Sequence, residues 1–446
     1  EQTTYGEMPM PLAGELRNKY PDFQAVSLSV TRGFVINYNN EKFAEQGNYA
    51  EPEFTDIFSL EMIEGSRSGL RAVNGVLVSQ SMAKKLFGKE EAINKIITLN
   101  NKSDVKVSGV YKDMPANSSF KDCNLIANWD LLIATNANAK NDADIWDNNS
   151  YNIYVQLKDN ANFNNLNSRI REIRMKMENP PRYKPMFFLY PMSRWHLYAD
   201  FKNGKSVGGL IDHVWIFGTI GIFVLALACI NFMNLSTARS QKRAKEVGIR
   251  KAVGSMRIQL ITQFLTESVL IAFIAFLGSL AIVQLTLPLF NDVSGKNTSL
   301  PWQNHWFWLT GIAFGLFTGM LAGSYPALYL SSFKPVKVLK GTFSSGGNGQ
   351  IPRSILVVFQ FSVSIILIIG TVIIFRQIAY TKQRPVGYSR NGLIEVNMNT
   401  QDLYGHYDAL RSDLLNSGGA IAMAESTGSV TVQYGGTTDV SWQKKR

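Results

Sequence analysis

Cysteine is nearly absent: the 446 residues hold two, Cys123 and Cys229, and histidine is limited to His196, His213, His305 and His406. Two separated thiols and four scattered imidazoles build no metal site. Cys229 sits in an apolar run and Cys123 in polar sequence, so an intrachain disulfide would have to join two compartments. A GxxxxGK[ST] phosphate loop is also missing, because the glycine-rich run near Gly346 lacks the Lys-Ser/Thr that must follow. No HExxH pair occurs. These absences imply no metal, no cofactor and a non-catalytic chain. Acid is scarce too, 34 Asp and Glu against 45 Lys and Arg, for a net charge of +11. Much of the basic excess flanks apolar runs without any nucleic-acid motif, which points to a membrane surface and away from nucleic acid.

What the chain does have is apolar length. The run from Val214 to Ala238 carries no charge, and about twenty such residues span a bilayer. Spans are expected at about 214–238, 260–290, 306–330 and 353–376. Mean hydropathy near zero hides this, because the first two hundred residues and the last seventy read as soluble sequence. Between the first two spans lie Arg239, Lys242, Arg243, Lys245, Arg250, Lys251 and Arg257, against the single acid Glu246. Short Lys/Arg-rich loops stay cytoplasmic, so this is a cytoplasmic elbow. Its Ala, Lys, Arg and Glu residues favour a helix continuing out of the membrane, with Gly248 and Gly254 as places to bend or stop and Ser255 as cap of the next helix.

The third span carries Gly311, Gly315, Gly319 and Gly323, each four residues apart. Such a row lets a neighbouring helix approach to backbone contact. Isolated Asn231, Asn234, Gln263 and Gln360 read as interhelical hydrogen-bonding groups, and Glu267 as an inner-border carboxylate that snorkels or pairs with an elbow arginine in preference to relaying protons.

The first 210 residues read as mixed α/β. A Pro-started helix over Met8–Tyr20 precedes extended stretches at Ala25–Val30 and Phe34–Tyr38. Val76–Val78 is a strand, followed by a helix capped by Ser79 or Ser81 and stopped by Gly88. Ile93–Leu99 and Val105–Tyr111 form a hairpin around Asn100 and Asn101, and Ile153–Leu157 a strand before a helix through Leu166 and Ile170. Asn136–Asn149 is expected as a solvated loop and Phe187–Tyr190 as a strand. Ser344–Gln350 is a Gly/Ser linker. Beyond the fourth span, Arg376 begins another outer segment with a helix at Leu403–Leu414 and a strand at Ala420–Ala424.

KRAKEVGIRKAVGS followed by QLITQFLTES closely resembles the cytoplasmic signature of the MacB/FtsX-type permeases of ABC transporters. SQSMAKKLFGKEEAINKIITLNN and VSGVYKDMPANSSFKD resemble the periplasmic core domain of that family, and AGSYPALYLSSFKPVKVLKG its third-span exit. The resemblance implies an α+β extracytoplasmic domain joined to an all-α transmembrane helical domain. Its parts are a periplasmic core domain at 1–210, an FtsX-like membrane domain at 211–343, a linker at 344–352, a fourth span at 353–376 and the start of a second periplasmic domain at 377–446. It further implies a two-repeat protein of which this chain is a piece, set in a bacterial inner membrane. Lys245, Glu246, Gly248, Ile249, Arg250, Lys251, Ala252 and Gly254 would contact a separate cytoplasmic ATPase. The implied assembly is dimeric or pseudo-dimeric, touches lipid, and moves its periplasmic domains to export or extract a substrate. The alternative is a signal transmitter of the same architecture that activates a periplasmic partner; an adhesion or sensor protein unrelated to ATP fits the elbow least.

Overall fold

The computed structural model describes residues 3–238, 240–332, 350–385, 387–388, 391–396, 398, 404–426 and 428, leaving aside the side chains of 237–245 and 350–353. Two compact units result, Glu1–His196 with Phe201–Val207 and Ser389–Arg446, and Leu197–Asp200 with Gly208–Tyr388.

The first unit opens with strand β1 (Met8–Pro9) and helix α1 (Pro11–Lys19), whose Leu12 and Leu16 are buried and whose first turn Pro11 starts. Strand β2 (Phe23–Tyr38) joins the two expected extended stretches into one, and Asn39 and Asn40 at positive φ turn it tightly into β3 (Glu41–Ala50). Helix α2 (Glu53–Ile57) and strand β4 (Met62–Gly65) follow, then β5 (Gly75–Ser79) and helix α3 (Gln80–Phe87). The Ser79 side chain accepts from the Met82 N–H at 3.2 Å, and Gly88 at φ +64° ends the helix. Strands β6 (Ile96–Leu99) and β7 (Ser103–Tyr111) form the Asn100–Asn101 hairpin, and β8 (Leu125–Asn128) leads into α4 (Trp129–Thr135).

Two expectations change here. Asn136–Asn149 is not loop throughout: Asn136 caps a short helix α5 (Ala137–Asn141), because its side chain accepts from the Ala139 N–H. Phe187–Tyr190 is not a strand, since its backbone is satisfied by helix-side partners, Phe187 N–H by the Arg171 carbonyl at 3.0 Å and Leu189 N–H by the Asn167 side chain at 2.7 Å. Between them lie β9 (Asn149–Leu157) and α6 (Phe163–Ile170). A small hairpin of β10 (Asp200–Lys202) and β11 (Lys205–Gly208) turns through Asn203 and Gly204.

The sheet runs β1-β9-β2-β3-β8-β5-β7-β4, with β6 paired to both β2 and β7. Strands β2, β3, β8, β5, β7 and β6 therefore close into a ring, while β1 and β4 remain as the edges of the sheet. Among the described residues only β3/β8 and β5/β7 pair in parallel. The main core joins α1, the ring and α3, with Phe34, Ile36, Val76, Val107 and Leu125 at most 1 % exposed. A second core gathers Phe54, Leu70, Leu77 and Ile126 around Tyr111, whose hydroxyl donates to the Cys123 carbonyl at 2.6 Å. Burial lifts the Tyr111 phenol well above its usual range and the Cys123 thiol to about 11. Replacing Tyr111→Phe orphans the buried Cys123 carbonyl; thermal unfolding of the first unit is expected to report a loss of about 1–3 kcal/mol. Full retention of stability would contradict this core assignment.

The second unit contains helices α7 (Leu210–Ala238), α8 (Ser240–Ala252), α9 (Arg257–Ser294) and α10 (His305–Ser331), and the helix Gln350–Gln383. Four stretches, Leu210–Ser236, Arg257–Ser294, His305–Ser331 and Ser354–Gln383, are long and apolar enough to cross a membrane. Their exposed Trp215, Leu285, Phe317 and Phe375 need lipid where a soluble helix would show polar groups. The last helix continues through Arg376 to Gln383, beyond the expected end at 376, since Gln377–Gln383 holds no Gly or Pro to stop it. Helix Tyr407–Asn416 forms, whereas Ala420–Ala424 carries no strand. The linker residues 344–349, Lys334, Lys337, Lys340 and Leu403 lie outside the described residues.

Candidate functional site

Helix α8 ends in a Schellman closure: the Ser255 N–H donates to the Arg250 carbonyl at 2.9 Å and the Gly254 N–H to the Lys251 carbonyl at 3.1 Å. Gly254 takes φ +104°, a conformation open to glycine and strained for other residues. Gly248, by contrast, is buried inside the helix and does not stop it. Helix α9 is capped at Met256, one residue after the expected Ser255, because the Gln259 side chain reaches back to accept from the Met256 N–H at 2.9 Å. Whether α7 runs unbroken into α8 turns on Arg239, outside the described residues.

One face of α8 is docked. Val247, 2 % exposed, packs with Leu260 and Phe264 of α9 and Ala327 and Leu330 of α10. Arg250 is held by Glu246 at 2.7 Å and donates to the Gln263 side chain at 2.7 Å. The Lys251 ammonium donates to the Ser331 carbonyl at 2.5 Å, in the last turn of α10, where orphan carbonyls and the helix dipole favour a cation. Arg257 reaches the Ser331 hydroxyl at 3.4 Å. Burial first, and then the Arg257 charge, holds the Lys251 amine below its ordinary value.

The opposite face is open. Ile249, Val253, Met256 and Ile258 expose 49, 84, 67 and 60 % of their surface, beside Glu246, Ala252 and Gly254. The candidate residues thus divide into an outward group (Glu246, Ile249, Ala252, Gly254, with Arg250 bridging) and an inward pair (Gly248, Lys251); the Lys245 side chain lies outside the described residues. Sequence reasoning missed Val253, Met256 and Ile258 as surface and Ser331 as the anchor. The only signal for Ser331 was a Ser pair at the polar end of an apolar span.

Behind the elbow, α10 lies on α9 through its glycines. A Cβ added at Gly311 would meet the Phe276 ring at 2.6 Å, at Gly315 the Phe273 ring at 3.3 Å, at Gly319 the Val269 Cα at 2.6 Å and at Gly323 the Ser268 Cβ at 2.7 Å. The row therefore packs α10 closely on α9 over three turns, with backbone contact at Gly319 and side-chain contact at Gly311, Gly315 and Gly323.

Among the described residues no cluster of three His, Cys, Asp or Glu forms. Gly204-Lys205-Ser206 is the nearest approach to a phosphate loop, and the same stretch with Gly208 matches GxSxG spacing. It forms the β10–β11 hairpin, however, where a phosphate loop or nucleophile elbow requires a turn from strand into helix, and Ala199 stands where a phosphate loop needs its first glycine.

The MacB-like periplasmic core domain family matches residues 2–173, and the FtsX-like permease C-terminal family matches residues 218–335. The uncharacterized ABC transporter permease YknZ of Bacillus subtilis (strain 168) is 23 % identical over 319 residues, 71 % of this chain and 75 % of that protein. The macrolide export ATP-binding/permease protein MacB of Bdellovibrio bacteriovorus is 25 % identical over 299 residues, 66 % of this chain and 42 % of that protein. The periplasmic region of MacB from Actinobacillus actinomycetemcomitans superposes with a TM-score of 0.30 at 17 % identity, covering 38 % of this chain and 73 % of that one. The chain spans less than half the length of the MacB protein it matches. With a MacB-like periplasmic core domain and an FtsX-like membrane domain on one polypeptide, the chain belongs to the MacB/FtsX-type family of ABC transporter permeases.

Proposed function

We propose that this chain is a membrane subunit, itself non-catalytic, that couples ATP hydrolysis by a separate cytoplasmic ATPase to movement of its periplasmic domain, exporting or extracting a substrate by mechanical transmission. The observation that carries the reading is the two-faced elbow: an exposed apolar and charged surface on one side of α8, and on the other a Lys251 and Val247 attachment to α9 and α10. A motor needs both a surface to grip and a rigid lever behind it, and a Schellman-closed helix transmits displacement where a loose loop would absorb it. The spans lack a charged row suited to conduction, which favours motion over a pore. The subunit works as a dimeric or pseudo-dimeric assembly in an inner membrane, with lipid around its spans and a periplasmic partner at its outer face.

The outward face supplies the cleaner test than the basic residues, because Lys251 also holds the fold. Ile249→Asp with Val253→Asp is expected to abolish co-purification of the ATPase, at least about a hundredfold in affinity for two central apolar contacts, with membrane insertion unchanged. An ATPase still retained by that variant would remove the elbow as the docking surface.

A further inference from the structure

A cleft of about 400 Å³ opens in the N-terminal unit between α2, β4 and the turn Arg67–Arg71, lined in part by Thr55, Asp56, Ser66, Arg67, Ser68 and Arg71. That volume falls within the range of small-ligand sites. The turn is built to be stiff. Gly65 enters it at φ +71°, where a side chain would be strained. A Cβ at Gly69 would strike the Ser108 side chain at 2.6 Å, so the turn lies directly on β7. Leu70 is fully buried beneath it, and the buried Asn128 amide donates to the Leu70 carbonyl at 2.6 Å. Two arginines therefore stand on a mount fixed from below.

Their guanidiniums are incompletely used. Arg67 Nε donates to the Leu60 carbonyl at 2.8 Å, which orients the remaining N–H groups. Its nearest anion, the Asp56 carboxylate, stays 3.6 Å away, beyond hydrogen-bond distance, and is 62 % exposed. Arg71 makes no hydrogen bond or ion pair among the described residues. The Ser66 and Ser68 hydroxyls share one bond at 3.0 Å, which leaves a further O–H to give. Planar forks of this kind match the two oxygens of a carboxylate or phosphate, and a preorganised fork loses less entropy on binding one.

We infer that this cleft binds a small oxyanion, a carboxylate or phosphate group, between Arg67 and Arg71, with the Ser66–Ser68 pair as added donors and Asp56 as a built-in competitor that the ligand displaces. The assignment is independent of the coupling role. It predicts opposite effects from two charge removals in one cleft: Arg71→Ala weakens binding, and Asp56→Asn strengthens it.

Isothermal titration of the whole chain in detergent micelles, with inorganic phosphate and with succinate in separate arms, tests it. At least one probe is expected to bind, and the preferred one tells a phosphate ligand from a carboxylate. Arg71→Ala should lower that affinity at least about tenfold, the value of one charge-assisted hydrogen-bond pair, and Asp56→Asn should raise it severalfold. Arg71 and Asp56 are exposed, so neither change threatens the fold. Lys102→Ala, in the β6–β7 turn, should leave binding unchanged. Binding of neither probe, indifference to Arg71→Ala, or an equal loss with Lys102→Ala overturns the assignment.

Discussion

Leucine at Gly319 is expected to separate α10 from α9 and to uncouple nucleotide turnover from periplasmic movement. A Cβ there would lie 2.6 Å from the Val269 Cα, and main chain cannot rotate aside as a ring does, so the helices themselves must part. The cost is at least about 3 kcal/mol, the upper end of overpacking penalties, because a whole isobutyl group follows that Cβ. Gly315→Ala is the graded control. Its Cβ would meet the edge of the Phe273 ring at 3.3 Å, and a shift of a few tenths of an ångström relieves it. Spin labels on paired periplasmic domains should show nucleotide-dependent distances in Gly315→Ala and none in Gly319→Leu, while the ATPase still binds both. A nucleotide-dependent distance change retained in Gly319→Leu would end the proposal that close α9–α10 packing transmits the motion.

Lys251→Glu should produce the second large effect, detachment of the elbow from α10. The substitution replaces a donor to the Ser331 carbonyl by a carboxylate that repels it, at the negative end of the α10 dipole. Losing the hydrogen bond to the Ser331 carbonyl costs about 1 kcal/mol, and the repulsion adds to it. The partner's ATP turnover should persist through the exposed face of α8, whereas the spin-label distances should stay at their nucleotide-free values. A variant that keeps both would show that Lys251 is no anchor.

The pH response of this contact has a definite sign. Burial, more than Arg257, lowers the Lys251 value from 10.5, so the released elbow holds the proton to higher pH than the docked one. This contribution to docking is fully present above 10.5 and is lost as pH falls through the lowered value. A neutral amine still donates to the carbonyl, so docking should strengthen in that window, and Lys251→Met should abolish the pH response measured by cross-linking of α8 to α10.

Legibility followed the range of the interaction that decides each element. The spans could be read because an apolar run in lipid must satisfy every N–H and C=O within itself, which leaves helix as its structure. The Ser79 cap, the Gly88 stop and the Asn100–Asn101 hairpin could be read because a neighbour a few residues away supplies the bond or the permitted φ. The glycine spacing of α10 announced close approach, again from one helix alone. The misreadings share another cause. Phe187–Tyr190 has strand-like residues, yet its N–H groups are taken by Arg171 and Asn167, sixteen and twenty-two positions earlier. Gly248 looked like a break, but burial of its helix face outweighs a propensity cost of about 1 kcal/mol.

The sequence by itself therefore determined the division into an α/β portion and apolar spans, the position of the basic elbow and most local caps and turns, since periodicity, charge and backbone stereochemistry act between near neighbours. Only the tertiary structure decided that β6 closes the strands into a ring, that Val247 and Lys251 face α10 while Ile249 and Val253 face outward, and that Arg67 and Arg71 share a cleft. Those outcomes depend on which distant surfaces bury together, a balance of area, hydrogen bonding and desolvation between segments tens of residues apart, which no local pattern encodes.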